Sequence, residues 1–400
     1  MLPRCRFGTT AVRLGLPTFS TCARQLEQTR VRVPCRSNGS FNLDVRYPDH
    51  YAPQPSRASQ AAVIYLPRGP LLNNPKHDDL NLDTLQRTLS LPVICINYRC
   101  GNEDKYPTAI HDVIAGYDWV VQNLFNETTA TNRFSHHGRT RNKVAVLGEL
   151  IGGSLATTLA LTECRAKEPA AVVAAAINNP IADWVDLDED DRAKPCLPDQ
   201  APLTLQQLHR QRDSLFRQPA DYFDPFVSPA LFFRAAGLKV PASKPPLSDM
   251  EELAELEKQD FFRSQLALSA IPNAYASMET ALFSKSEQET SRKSSRRYPS
   301  KSLAIQLPRF RITSGRDSVI AGQSKDLKTL LDKAVERQSK PKGSPANSSR
   351  TRLGMCTSQT AAVSEMVSHE EVGGSGLWDE SEKGRSRMRD AALWVEQALR

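Results

Sequence analysis

The stretch Lys143-Val144-Ala145-Val146-Leu147-Gly148-Glu149-Leu150-Ile151-Gly152-Gly153-Ser154-Leu155-Ala156 decides the fold. Val144 to Leu147 is a continuous apolar run, the pattern of a strand buried on both faces. Leu155, Leu159 and Thr162 then recur at helical spacing. Between them Gly148 and Gly152 frame a turn too tight for side chains, and Gly153 extends the frame. Strand, glycine-framed turn and helix together make a nucleophile elbow, G-x-S-x-G, in which a strained turn holds a serine hydroxyl above a sheet. The serine position here is Leu150.

Outward from the elbow, short apolar runs alternate with helical patterns. The runs are Ala61 to Leu66, Val93 to Asn97, Val172 to Ile177, Phe310 to Thr313 and Ala362 to Val367. Helical spacing joins Ile110, Val113, Ile114, Tyr117, Val121 and Leu124. It also joins Leu327, Leu330, Leu331 and Ala334, then Met388, Ala391, Ala392, Val395 and Leu399. Such alternation predicts a parallel sheet with right-handed crossovers. Val31 to Tyr47 alternates on both sides of Ser37-Asn38-Gly39-Ser40 and predicts a β-hairpin as the first structured element.

The organisation expected is therefore a disordered or targeting segment over residues 1–30 and the first part of the core over 31–180. An insertion follows over 181–302, ending in a disordered Ser/Arg/Lys-rich stretch from Ser284 to Ser302. The rest of the core spans 303–400 and contains a second disordered loop over 337–352.

The net charge of +7 gathers in the N-terminus, in Lys285 to Lys301 and in Arg337 to Arg352, which reads as solvated tail and loop. No aromatic interleaving supports nucleic-acid binding, and no apolar run reaches the roughly 20 residues that span a bilayer. The first 26 residues hold Arg4, Arg6, Arg13 and Arg24 and no acid. That composition fits a mitochondrial transit peptide and also a basic tail of a cytoplasmic protein, and both readings stay open.

The eight cysteines show no CxxC spacing and no zinc-ligand cluster, so free thiols are expected, with a Cys95–Cys100 disulfide as the alternative. Asp183, Asp186, Asp188, Glu189, Asp190 and Asp191 lack calcium-loop spacing and read as a solvated acidic loop. His136 and His137 sit in a polar loop, Glu149 reads as a structural acid, and Ser154 as an ordinary helix serine. No metal and no cofactor is expected.

Several further segments carry a family resemblance. Asn97-Tyr98-Arg99 is followed by Tyr106-Pro107-Thr108-Ala109 and by Asp112-Val113. Asp224-Pro225 and Ser228-Pro229 come next, then Thr313-Ser314-Gly315-Arg316-Asp317. In this order and spacing, with the elbow, the chain resembles the hormone-sensitive-lipase-like branch of the α/β-hydrolases, often labelled fold-3, especially its fungal members. The resemblance runs from about Val31 to Leu399, the two low-complexity loops aside. It implies an α/β-hydrolase fold: a mostly parallel, doubly wound sheet with an N-terminal hairpin and a cap-like insertion.

The resemblance also implies a serine–histidine–acid triad, and most of it is absent. Leu150 stands at the nucleophile position and has no ionisable group. Gly374-Ser375-Gly376-Leu377 stands where the branch carries Gly-His-Gly-Phe, so Ser375 occupies the histidine position. Asp317 occupies the acid position and is the triad member kept; capping of the next helix is its alternative role. His369 is the substitute base if the loop is shifted. Pro67-Arg68-Gly69-Pro70 replaces a His-Gly-Gly-Gly oxyanion strand end, and proline has no N–H to offer. The N–H of Ile151 survives, with Gly69, Gly148, Gly152 and Gly153 as the remaining elbow and oxyanion positions.

Three readings of function follow. The first is an inactive carboxylesterase or lipase homologue with a retained pocket, floored by Leu150, for a small apolar or acyl ligand or a partner. The second is a serine-independent hydrolase of carboxylic esters or related acyl compounds, using Asp317 and His369. The third is a paralogue without a selected biochemical role. Nothing in the sequence specifies an oligomeric state.

Overall fold

The computed structural model describes residues 28–35, 39–48, 60–72, 74–125, 141–187, 203–236, 296, 298–300, 304–339 and 365–400. Eight strands form one sheet: β1 (Gln28–Pro34), β2 (Ser40–Arg46), β3 (Ala61–Leu66), β4 (Val93–Asn97), β5 (Asn142–Glu149), β6 (Ala170–Asn178), β7 (Arg309–Gly315) and β8 (Val367–Val372). Their order is β1-β2-β4-β3-β5-β6-β7-β8. β1 with β2 and β2 with β4 run antiparallel, and every other neighbouring pair is parallel.

Helices cover both faces, as parallel strands require. They are α1 (Pro75–Thr88), α2 (Thr108–Asn123), α3 (Ile151–Thr162), α4 (Leu205–Leu215), α5 (Ala321–Ser339) and α6 (Glu382–Leu399). Alternate residues of one strand feed separate cores. Ile64 and Leu66 of β3 join the core under α2, α3 and α5. Val63 and Tyr65 join the one under α1 and α6. The expected α/β-hydrolase architecture is the one observed.

Local chemistry sets several helix starts. Asn74 accepts from the N–H of Lys76 ahead of Pro75, and Ser381 accepts from that of Gly384. Thr204 and Gln207 form a reciprocal capping box on α4.

Some boundaries differ from expectation. The hairpin begins at Gln28, three residues inside the segment expected to be a tail. Its outer strand needs only backbone pairing with β2, and the Arg30–Asp44 ion pair at 2.7 Å ties the two together. The last strand is Val367–Val372, not Ala362 to Val367. It is an edge strand with one neighbour, so it tolerates His369, Glu370 and Glu371 where a central strand would not. α5 runs to Ser339, past the start of the expected loop at residue 337. The Gln338 side chain bonds the backbone of Ile305 and of Leu307 there.

Tyr298 also lies inside a stretch expected to be disordered. It packs on Phe232 and Phe233 and donates to the Leu161 carbonyl at 2.5 Å. Asp183 and Asp186 are not solvated: Asp183 is buried, and both pair with Arg234. Cys35, Cys95, Cys100 and Cys164 are free thiols, so Cys95 and Cys100 are not bridged. Residues 1–27, His136, His137, 188–202, 284–295 and 340–364 lie outside the described residues, and with them the expectations placed there. Among the described residues no helix is long and apolar enough to cross a membrane.

Candidate active-site remnant

β5 passes into α3 through Leu150, whose φ of 55° and ψ of −115° lie in a region that non-glycine residues rarely adopt. Close backbone approach explains the glycines around it. A Cβ on Gly148 would sit 2.2 Å from the Gly152 carbonyl oxygen. One on Gly152 would sit 2.3 Å from the carbonyl oxygens of both Leu66 and Pro67. The elbow is therefore built as tightly as a nucleophile requires, with a hydrocarbon at its apex. Such a conformation costs on the order of 1–3 kcal/mol.

Leu150 is fully buried. Its N–H donates to Asn178 at 3.1 Å, and its carbonyl accepts from Ser154. Ser154 is buried too, and its hydroxyl donates to the Ile181 carbonyl at 2.5 Å, which makes it a structural helix serine.

Asp317 and Ser375, the positions expected for a triad acid and histidine, lie where strand ends meet. β7 leads through Gly315 to Asp317, whose N–H donates to Gly374 at 3.0 Å. The loop after β8 folds back over Gly315, so that a Cβ there would lie 2.1 Å from the Ser375 carbonyl. Asn179, just past β6, closes the arrangement: its amide donates to Ser375 at 3.1 Å and accepts from Gly315 at 3.0 Å. Since Leu150 donates to neighbouring Asn178, the strand ends carrying Leu150, Asp317 and Ser375 are joined through Asn178 and Asn179. The Asp317 side chain is exposed.

His369 is not in that loop. It lies within β8, level with Ile312, and its Nε2 is 2.9 Å from the Ser314 hydroxyl. Three strand spacings separate β8 from β5, roughly 14 Å. Burial holds its imidazole below the usual histidine range, outweighing Glu371.

The strand end expected to carry oxyanion donors is organised around charge. Arg68 is buried and pairs with the fully buried Glu149 at 2.9 Å. It also donates to the Trp378 carbonyl at 2.8 Å and lies 2.8 Å from His77 Nδ1. Glu149 accepts in turn from Asn178 and from the Trp378 N–H, both at 2.7 Å. Burial raises the Glu149 carboxyl above the usual range, against the pull of Arg68. The network ties β3, β5, β6 and the loop before α6 together beneath the elbow. Pro67 is held by the Tyr98 hydroxyl at 2.6 Å, and Gly69 turns with φ of 79° against Ile151. The N–H of Ile151, first residue of α3, belongs to the helix turn that has no intrahelical partner.

Beside the elbow, under the insertion, lies an apolar cavity of about 40 Å³, more than the ~10–15 Å³ that one water needs. Its floor is Ile151, Ser154 and Leu155, not Leu150, whose side chain is sealed in the core. Tyr106 and Ile110 line one side; Trp184, Leu215, Phe216 and Val227 cover it. Asp224 anchors this cover by accepting from Tyr106 at 2.5 Å, and Ser228 by bonding Trp184 and Tyr222. Asp112 is buried against Arg99, three of whose N–H groups reach it within 3.0 Å. The motif residues Arg99, Asp112, Asp224 and Ser228 thus serve scaffold and cover.

Residues 69–242 match the model of a family described as having the alpha/beta hydrolase fold. An ethyl acetate hydrolase of Pseudomonas putida is 31% identical over 102 residues, which is 25% of this chain and 29% of that protein, so the chain spans less than a third of that relative's length. A thermophilic, thermostable carboxylesterase cloned from a metagenomic library superposes with a TM-score of 0.54 at 15% identity, covering 95% of this chain and 92% of its own. Carboxyl esterase 2 of the mycorrhizal fungus Tuber melanosporum superposes with a TM-score of 0.55 at 12% identity, over 95% and 89%. At such identities these structures establish the fold.

Proposed function

We propose that the chain, whose residues 69–242 match an α/β-hydrolase-fold family model, is a non-catalytic carboxylesterase-like homologue that keeps an apolar cavity for a small apolar or acyl group. One observation carries the proposal: the elbow is intact in every backbone respect, yet its apex is a fully buried leucine. Acyl transfer through a covalent intermediate needs an oxygen or sulfur nucleophile there. Ser375 adds support, because a neutral hydroxyl cannot take a proton at pH 7 as an imidazole does. Arg68 adds more, since its guanidinium is committed to Glu149 and Trp378 and not aimed at a substrate oxygen.

A serine-independent hydrolase working through Asp317 and His369 gains nothing from the geometry, because the histidine is bonded to Ser314 within the edge strand. The test is turnover of short-chain p-nitrophenyl esters by the purified chain. The expected rate equals that of buffer with a heat-denatured control. Saturable turnover that survives repurification would reject the non-catalytic reading.

A further inference from the structure

On the sheet face opposite the elbow cavity, α1 and α6 flank a groove of about 310 Å³. Arg87 of α1 and Arg385 and Arg389 of α6 line it. The last two are one helical turn apart, a spacing at which like charges repel. Among the described residues none of the three guanidiniums has an acidic partner or a side-chain hydrogen bond. The acid in the lining, Asp83, is already bound to Arg46 at 2.6 Å. Glu396, farther along α6, is held by Ser90 and Arg400.

A single exposed arginine needs no partner. Three around one concavity, whose one lining acid is already ion-paired, focus a positive potential into it. Thr84 and Thr88 also line the groove, but their hydroxyls donate to the Leu80 and Thr84 carbonyls at 2.8 and 2.7 Å. The guanidiniums are therefore the groove's donors. Their planar forks suit phosphate oxygens bidentately. No aromatic side chain lines the groove to stack a base, which argues against single-stranded nucleic acid.

We propose that this groove binds a small di- or polyphosphate, at a site separate from the elbow cavity. The test is calorimetric titration of the full chain with inorganic pyrophosphate at low salt. It is repeated on Arg385→Gln/Arg389→Gln and on Arg210→Gln, a control for an exposed charge on α4. Saturable binding is expected, weakened roughly tenfold or more in the double variant, unchanged in the control, and reduced by added salt.

No binding to the wild type overturns the proposal. So does equal affinity in the double variant, or an equal loss in the control. A second arm uses vesicles containing phosphatidylserine. Binding to them that the Arg385→Gln/Arg389→Gln variant loses, with no saturable pyrophosphate binding to the wild type, would assign the groove to a membrane surface and overturn the proposal as well. Ester turnover plays no part in either arm, so failure here leaves the reading of the elbow untouched.

Discussion

Arg68→Ala is expected to destabilise the protein by about 3–5 kcal/mol, read as a shift in urea midpoint. The substitution strands the fully buried Glu149 without its cation and removes the donor to Trp378. Arg68→Met/Glu149→Gln should recover most of the loss. It removes both charges together, and the glutamine carbonyl can still accept from Asn178 and Trp378.

The deficit of Arg68→Ala should also depend on pH. Burial already raises the folded-state pKa of Glu149, and losing Arg68 raises it further. The folded state then binds the proton more readily than the unfolded state, so stability falls as pH rises from the ordinary glutamate range, near ~4.3, through the raised value. The gap to wild type should narrow in acid. A deficit under 1 kcal/mol, or one that widens in acid, would mean that the pair does not hold the elbow's base.

The second large effect is catalytic. Leu150→Ser alone is expected to give no esterase activity, and Leu150→Ser/Ser375→His to give weak, measurable activity. The single variant still lacks a base. The second substitution places an imidazole in a loop bonded to Asn179 and, through Gly374, to the Asp317 backbone. General-base help is worth about 10²–10⁴ in rate. If Pro67, Arg68 and Pro70 stand where oxyanion donors would be, the missing donors should withhold roughly 10²–10³ in rate.

Removing a fully buried leucine also costs about 2–5 kcal/mol. The variants must therefore be compared at a temperature where circular dichroism shows both folded. Equal turnover by single and double variants, both folded, would show that Ser375 is not the histidine position.

The elbow was legible in the sequence because its constraint is steric. Gly148 and Gly152 are required by backbone atoms less than 2.5 Å from any Cβ, and steric need leaves a spacing that can be read. The central strands were legible because burial on both faces demands unbroken apolar runs. β8 was misplaced because an edge strand escapes that demand, and only Val367 of the apolar run expected there belongs to it.

The sequence does not announce α1: Leu82 and Leu85, with Leu89 at its C-cap, carry its buried face, but charges crowd the intervening positions. Its signal was Asn74-Pro75, a cap followed by a first-turn proline. The structural role of Glu149 is legible in the sequence, but its partner Arg68, which lies far earlier in the chain, is not. The register explains the meeting, because Leu66 pairs with Gly148 and both strands reach their charged residues just past that level. Reading Asp183 and Asp186 as solvated failed for a similar reason, since Arg234 lies far along the chain in the insertion that folds over them.

The most direct test of the central claim is the intact mass of the wild-type protein after exposure to a fluorophosphonate. This reagent forms a stable adduct with an activated serine at an elbow. With Leu150 at the apex and Ser154 bonded to the Ile181 carbonyl, the mass should stay unchanged at concentrations that fully label an active esterase. A stoichiometric adduct mapped to Ser154 or Ser375 would contradict the claim, because it would reveal a working nucleophile beside an elbow that carries none at its apex.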